Sequence, residues 1–369
     1  LASSVPPPPP SARRGVRMSA SRQEKKKLAL AIVTGGNRGI GLAIVEALWA
    51  KKGYHTIIAC RALASGEESA EAVRKQEGGG EVSVMQLDLC SMVSVRAFAE
   101  QVRSRHSRID ALFNNAGILR WRGWIVTKDG FEEHLQANFL GHYLLTKELL
   151  PLLLSEDGSN PSRVVSVGSH LGSIGRINFE NLNDLEGFPA YQQSKLAQML
   201  HMQELHECHS ANGLLAFCME PGEVNTDITR NFPFASLINV FLKFVPERNT
   251  PAQGADTAVW IGTCPPDDAR PLSGKFLADR KSVDENYSGF TAFSSLVFAF
   301  LKSGEAQSNH AVSRKKICAL ADRLVSGEET LPLERSPKKS SLLKIAAVAA
   351  LFAIALALLL PFLAPGASV

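Results

Sequence analysis

The chain has little that would staple it, charge it or load it with metal. Its six cysteines stand singly, with no C-x-x-C pair, which excludes a disulfide framework and favours a reducing compartment. Lys and Arg outnumber Asp and Glu by only 40 to 36, a formal +4 over 369 residues, and that gives no footprint for nucleic acid. No H-E-x-x-H motif occurs. The nearest approach, His206-Glu207-Cys208-His209, points its side chains in different directions around a helix, so no metal site is expected. Two further absences are local: the fingerprint G-x-G-x-x-G is missing, and no Asp or Glu stands between Glu46 and Glu67. Apolar residues, by contrast, make up 45% of the chain, enough for a full core in one large domain with extensions.

What is present begins with Leu28-Ala29-Leu30-Ala31-Ile32-Val33, an unbroken apolar run of the kind shown by a parallel strand buried on both faces. It feeds into Thr34-Gly35-Gly36-Asn37-Arg38-Gly39-Ile40-Gly41. An amphipathic helix follows over Leu42 to Ala50, with Ile44, Val45 and Leu48 on its apolar face. Strand, glycine turn and helix in that order make an anion site: glycines let the backbone approach a pyrophosphate, and the helix N-terminus offers unpaired N–H groups. The next strand, Tyr54 to Cys60, ends at Arg61, about 20 residues past the turn, where selectivity for NAD calls for an acidic residue on the ribose 2′-hydroxyl. None is there. Arg38 and Arg61 are instead placed to meet extra negative charge, which argues for the 2′-phosphate of NADP(H).

A third strand is expected over Val82 to Leu89, with Asp88 able to accept from an adenine amino group. A fourth, Ala111 to Gly117, ends in a small-residue turn whose Asn114 and Asn115 can tie neighbouring strands together. Further on, Tyr191 and Lys195 stand four residues apart, which on a helix puts a phenol and an ammonium on one face. Acid/base work by a phenol near neutral pH needs a shift of roughly 3 units from about 10, or about 4 kcal/mol. One positive charge about 4 Å away supplies that much at an effective dielectric of about 20.

Taken together these residues resemble the short-chain dehydrogenase/reductase family, and the resemblance covers roughly Lys27 to Asp279. The motifs fall in that family's order: Thr34-Gly35-x-x-x-Gly39-x-Gly41, Asn114-Asn115-Ala116-Gly117, Asn138, a strand ending at Ser169, Tyr191-x-x-x-Lys195, and Pro221-Gly222-x-Val224-x-Thr226. The resemblance implies an α/β fold: one Rossmann-type, doubly wound catalytic domain on a seven-stranded parallel sheet. It also implies roles. Tyr191 would exchange the proton with the substrate oxygen, and Lys195 would lower the phenol's pKa and hold the nicotinamide ribose. Ser169 would hydrogen-bond the reacting oxygen, and Asn138 would bind a water of the proton relay. Thr226 would contact the carboxamide. The cofactor would lie along Gly35, Asn37, Arg38, Gly39, Ile40, Gly41, Arg61, Asp88, Leu89, Asn115, Ala116, Gly117, Tyr191, Lys195, Pro221, Gly222, Val224 and Thr226. Gly168 departs from the pattern, which usually shows a serine there. The Asn138-Phe139-Leu140-Gly141-His142 stretch looks like the retinol dehydrogenase and WW-domain-oxidoreductase-like branch, and the glycine turn like the monomeric carbonyl reductases; both reduce carbonyls with NADPH.

The ends of the chain read differently. Residues 1–26 combine the run Pro6 to Pro10 with Arg13, Arg14 and Arg17 and run into a basic cluster at Lys25 to Lys27, a composition that buries no core; Met18 is a candidate start, and the leader, acid-free up to Gln23, also fits part of a transit peptide. The catalytic domain is expected over 27–282, a helical extension over 283–325, a linker over 326–341 and a transmembrane helix over 342–364. From Ile345 to Leu360 no side chain is polar, and about 20 such residues span a hydrocarbon core. The segment ends five residues before Val369, as in a tail anchor. Lys338, Lys339 and Lys344 stand upstream of it and would keep the catalytic domain in the cytosol, at the endoplasmic reticulum or an organelle outer membrane. Apolar, aromatic stretches at Asn231 to Val245 and Phe290 to Leu301 point to core or to a lipophilic substrate drawn from the membrane. The expectation is an NADP(H)-dependent alcohol dehydrogenase or carbonyl reductase, with a homodimer possible. Rival readings are a membrane-tethered NADP(H)-sensing scaffold, against which the intact Ser169, Tyr191, Lys195 and Asn138 argue, and a nucleotide-sugar epimerase or dehydratase, which the turn spacing fits less well.

Overall fold

The computed structural model describes residues 28–120, 123–155, 159–224, 249–283 and 310–334. Strand β1 (Ala29–Thr34) is buried from its second residue onward. Its alternate residues serve two separate cores: Leu30 and Ile32 join one, Ala31 and Val33 the other, as a strand covered on both faces must. Helix α1 (Gly39–Ala50) starts three residues before the expected Leu42, because Gly39 takes φ +54° and turns directly into it. There follow β2 (Tyr54–Cys60), α2 (Leu63–Arg74), β3 (Glu81–Gln86), α3 (Met92–Arg105), β4 (Ala111–Asn114), α4 (Gly141–Leu153), β5 (Ser162–Val167), α5 (Gly187–His209), β6 (Leu214–Met219), α6 (Pro251–Thr263), β7 (Phe276–Ala278), β8 (Lys281–Ser282) and α7 (His310–Ser326).

The strands lie in the order β3-β2-β1-β4-β5-β6-β7-β8. All neighbours are parallel down to β7, and β8 returns antiparallel to it. The expected seven parallel strands are therefore present, with a two-residue eighth at the edge. The core on one face of the sheet takes residues from α3, α4, α5 and α7, and the core on the other takes them from α1, α2 and α6. The switch between faces falls between β1 and β4. The carboxyl ends of the strands at that point are the usual ligand position in such sheets.

Two strands stop short of their sequence expectation for identifiable reasons. β3 ends at Gln86 because Asp88 turns the chain: its Oδ1 accepts from Cys90 N (3.0 Å) and its carbonyl from Ser91 N (3.1 Å). β4 ends at Asn114 because the next amide, Asn115 N, donates to the Thr34 hydroxyl (2.9 Å). Helix α5 is buried along most of its 23 residues, since α7 covers it with Ile317, Leu320, Ala321 and Leu324. Tyr143 Oη on α4 donates to Cys318 O on α7 (3.1 Å). Among the described residues no helix is long and apolar enough to cross a membrane. The expected leader, the two aromatic stretches, residues 335–341 of the linker and the transmembrane segment lie outside the described residues.

Candidate active site

The glycine turn is held from below by Thr34. Its buried hydroxyl accepts from the amides of Asn115 and Ala116 (2.9 Å each) and lies 2.9 Å from His142 Nε2. Asn115 Nδ2 donates to Thr34 O (2.7 Å) and so straps β4 to β1. The side chain expected at the cofactor is thus engaged in the turn itself. The turn is packed to contact: a β-carbon at Gly41 would lie 2.3 Å from Gly35 O and 2.5 Å from Asn115 Nδ2. Gly35, at φ +65°, holds a left-handed conformation that side-chain-bearing residues rarely adopt. Asn37 is anchored to α2 by Ser65 Oγ (2.9 Å) and Ser69 Oγ (2.9 Å). Arg38 precedes α1 in extended conformation without capping it, and the first turn of α1 carries no acidic residue. Helix amides and the positive dipole end are therefore offered to an anion, and the cradle fits a pyrophosphate.

At the adenosine side, Arg61 is exposed at the end of β2, and its carbonyl accepts from Gln86 Nε2 (3.3 Å). One Asp88 oxygen is used by Cys90 N, leaving Oδ2 as an acceptor. Leu89 is buried in the core, which limits it to main-chain contact with a ligand.

The structure brings Tyr191, Lys195, Ser169 and Asn138 together at the carboxyl end of the sheet, beside Gly117. A β-carbon at Gly117 would sit 3.4 Å from Asn138 Oδ1 and 3.6 Å from Lys195 Nζ. Lys195 Nζ lies 5.7 Å from the centroid of the Tyr191 ring and donates to Val167 O (2.9 Å). Ser169 caps the turn His170–Gly172, with Leu171 N donating to its Oγ (3.2 Å), and its hydroxyl hydrogen-bonds the Tyr191 phenol. Asn138 sits in a π-helical turn, Leu135–Leu140. Its Oδ1 accepts from Ile118 N (2.8 Å), and its Nδ2 donates to Ile118 O (3.1 Å) and Ser194 Oγ (2.9 Å). Both amide hydrogens are thereby used. Its main-chain carbonyl is met by His142 Nδ1 (3.0 Å).

The electrostatics differ from the sequence expectation. Burial dominates the Tyr191 phenol and pushes it above its ordinary value; the Ser169 hydrogen bond lowers it and the charge of Glu220 raises it further. Acidification by Lys195 is not the leading influence. Burial likewise pushes the Lys195 ammonium down to about 8, with nearby Cys218 and Glu220 opposing that shift. The phenol is thus held protonated through neutral pH.

Pro221, Gly222 and Val224 follow β6, with Gly222 at φ +73°, and Asn249 Nδ2 donates to Pro221 O (3.3 Å). Thr226 lies outside the described residues. Gly168 has a physical reason for departing from the serine pattern: a β-carbon there would lie 2.6 Å from Cys218 Sγ and 3.2 Å from Met219 O. Several residues near the site escaped the sequence reading. Glu220 bears on both Tyr191 and Lys195; an acid at the end of a fully apolar strand was its available signal. A buried Glu132–His134 pair (Nδ1 to Oε1, 2.7 Å) puts the imidazole ring 6.2 Å from that of Tyr191. No spacing announces it.

The fold is that of a Rossmann-type oxidoreductase. The chain belongs to the short-chain dehydrogenase family, whose model matches residues 29–234, and it is related to retinol dehydrogenases. It is 36% identical over 257 residues to mouse retinol dehydrogenase 12, covering 69% of this chain and 78% of that protein. Among solved structures, an uncharacterised protein from Mycobacterium paratuberculosis is 28% identical with a TM-score of 0.58, over 83% of this chain and 95% of that one. The NADP complex of RhlG from Pseudomonas aeruginosa is 25% identical with a TM-score of 0.54, over 68% and 93%.

Proposed function

We propose that the protein interconverts a lipophilic alcohol and its aldehyde or ketone using NADP(H), with Tyr191 as the proton-transferring group. The observation that carries this reading is the buried cluster at the end of β5, where the Ser169 hydroxyl hydrogen-bonds a phenol kept protonated by its surroundings. A protonated phenol is the form that can donate to a carbonyl oxygen. Ser169, held by its own turn, would orient that oxygen against it. Lys195 spends one of its three donors on Val167 O, and the other two would hold the nicotinamide ribose. The π-turn would present the Asn138 carbonyl, rather than its committed side chain, to a relay water. When bound at the carboxyl end of the sheet, the nicotinamide supplies or accepts the hydride.

Preference for the phosphorylated cofactor is supported by Arg61 at the end of β2, where no acid is available to favour the free ribose, and by the NADP bound in the RhlG relative. A lipophilic substrate is supported by the retinol dehydrogenases to which the chain is related. On this reading residues 27–282 form the catalytic unit with an extension over 283–325, and the apolar 342–364 tethers it, cytosol-facing, to a membrane through the 326–341 linker.

The test is NADPH consumption by the full chain in detergent micelles with retinal and long-chain aldehydes and ketones. Turnover is expected with NADPH, and Tyr191→Phe should lower kcat/KM by about a thousandfold. Retained turnover in that variant, or none with any of these carbonyls, would overturn the reading.

A further inference from the structure

Strands β5 and β6 are neighbours, paired in register from Ser162 and Leu214 to Val167 and Met219. Their ends therefore emerge side by side. From β5 come Ser169 and His170, and from β6 come Glu220, Pro221 and Gly222. The Glu220 carboxylate reaches both exits: Oε2 accepts from His170 N, and Oε1 accepts from Gly222 N (3.2 Å). Its own amide donates to Leu277 O on β7 (2.7 Å), so the residue is fixed on the sheet as well. One side chain thus joins the turn that carries Ser169 to the turn that follows β6. Met219, which Glu220 follows, pairs with Val167, and Val167 O accepts from Lys195 Nζ, so the carboxylate and the ammonium meet at one strand end and each bears on the other. Lys195 is 3% exposed, and Val167 O is its hydrogen-bond acceptor. A buried ammonium without an opposite charge tends to shed its proton.

We propose that Glu220 is a positioning residue that clasps the Ser169 turn to the Pro221-Gly222 turn and serves as the counter-charge of Lys195. The inference rests on Lys195 being charged at work, as in the function proposed above. Other groups face this pair from every packed element. Tyr191 lies on α5 beside the ammonium, Cys218 faces it from β6, and Asn138 comes close from the π-turn. His142 of α4 responds to the ammonium's charge but stays neutral, since burial holds it at about 4. Glu223 repels Glu220 and, with burial, favours its protonated form, while the His170 and Gly222 amides favour the carboxylate. Among these groups Glu220 is the carboxylate that acts on Lys195. Burial pulls the two partners toward neutrality, Glu220 up to about 7 and Lys195 down to about 8, so the doubly charged pair is most populated between those two values.

The test uses the full chain in detergent micelles with isotope-labelled lysine, the Lys195 resonance being identified by its loss in Lys195→Met. In Glu220→Gln, which removes the charge and keeps an acceptor oxygen, Lys195 should titrate about one pH unit lower than in wild type. The alkaline limb of NADPH-dependent carbonyl reduction should move the same way. Glu220→Asp keeps the charge on a shorter arm. It should restore the Lys195 titration, quicken amide hydrogen exchange at His170 and Gly222, and lower kcat more than it raises KM. Unchanged Lys195 titration in Glu220→Gln, or an equal shift in Glu220→Asp, would overturn the counter-charge; wild-type exchange in Glu220→Asp would overturn the clasp, and that measurement stands even where Glu220→Gln does not fold. The lysine titration needs no substrate, so an enzyme inactive on every carbonyl would refute the proposed function while still deciding the role of Glu220.

Discussion

At the end of β1 the side chains that shape the site are neutral, namely the buried Thr34 and His142 and the half-buried Asn115, whereas at the ends of β5 and β6 an ammonium, a phenol and a carboxylate crowd together. The first region meets an anion with backbone amides, a helix end and the space left by missing side chains. It would hold an anion without a titrating group of its own in contact with it. In the proposed function the second region moves a proton, and for that a group must be able to change charge. Burial there holds Tyr191, Lys195 and Glu220 each toward its uncharged form, and their mutual charges and hydrogen bonds work against that tendency. On the proposed reading, binding falls to an electrostatically quiet region, and catalysis to one where desolvation makes small charge changes large.

The comparison breaks first if the quiet region is charged. His142 joins Thr34 to the Asn138 carbonyl, and burial depresses its pKa to about 4. Because the folded value lies below the unfolded one, the stability due to the neutral ring is complete above about pH 6.5 and is lost as pH falls toward 4. The linked loss is on the order of 3 kcal/mol. His201, pushed down to about 3 by burial and by His142, steepens the same acid limb. Urea unfolding at pH 7 and at pH 5 should show the decline, and His142→Gln should flatten it. A wild-type stability independent of pH over this interval would show that the ring is not held neutral.

A smaller effect is expected from filling the space in the glycine turn. Gly41→Ala would press a methyl against Gly35 O and Asn115 Nδ2, and overpacking of this kind costs about 1–3 kcal/mol. Since both contacts belong to the cradle, the loss should fall on cofactor binding, with the NADPH Kd rising about tenfold or more. The Lys195 titration should not move. A Kd equal to wild type would mean that the turn relaxes freely and is not the fitted cradle it resembles.

Much of the fold was legible because buried parallel strands are written as apolar runs, and the Leu28–Val33 stretch followed by Thr34-Gly35 left little freedom of interpretation. Tyr191 and Lys195 were legible because helical spacing alone brings residues four apart onto one face. Glu220 was not. Its partners, His170 and Lys195, are 50 and 25 positions away by number, and the order of β5 and β6 in the sheet brings them to it. Gly168 looked like a defect in a motif until Cys218 and Met219 were found in the space a side chain would need. The burial of α5 beneath α7 was hidden for the same reason, since Tyr143 and Cys318 meet across 175 residues. Local periodicity reports local neighbours; strand order and helix docking decide the rest.

The smallest expected effect sharpens the comparison at its solvent-exposed rim. Arg61 stands exposed at the end of β2, next to the neutral cradle but outside the buried catalytic cluster. A charge in that position acts through water, where one charge-assisted contact to a phosphate contributes modestly. Arg61→Ala should weaken NADPH binding by about tenfold, near 1.4 kcal/mol, and leave NADH binding unaltered, since only the phosphorylated ribose meets the guanidinium. The difference should shrink at high salt, unlike the effect of Gly41→Ala, which is steric. Equal weakening for both cofactors would assign Arg61 to the shape of the β2 end instead of to the extra phosphate, and cofactor choice would then have to be sought around Asn37 and Arg38.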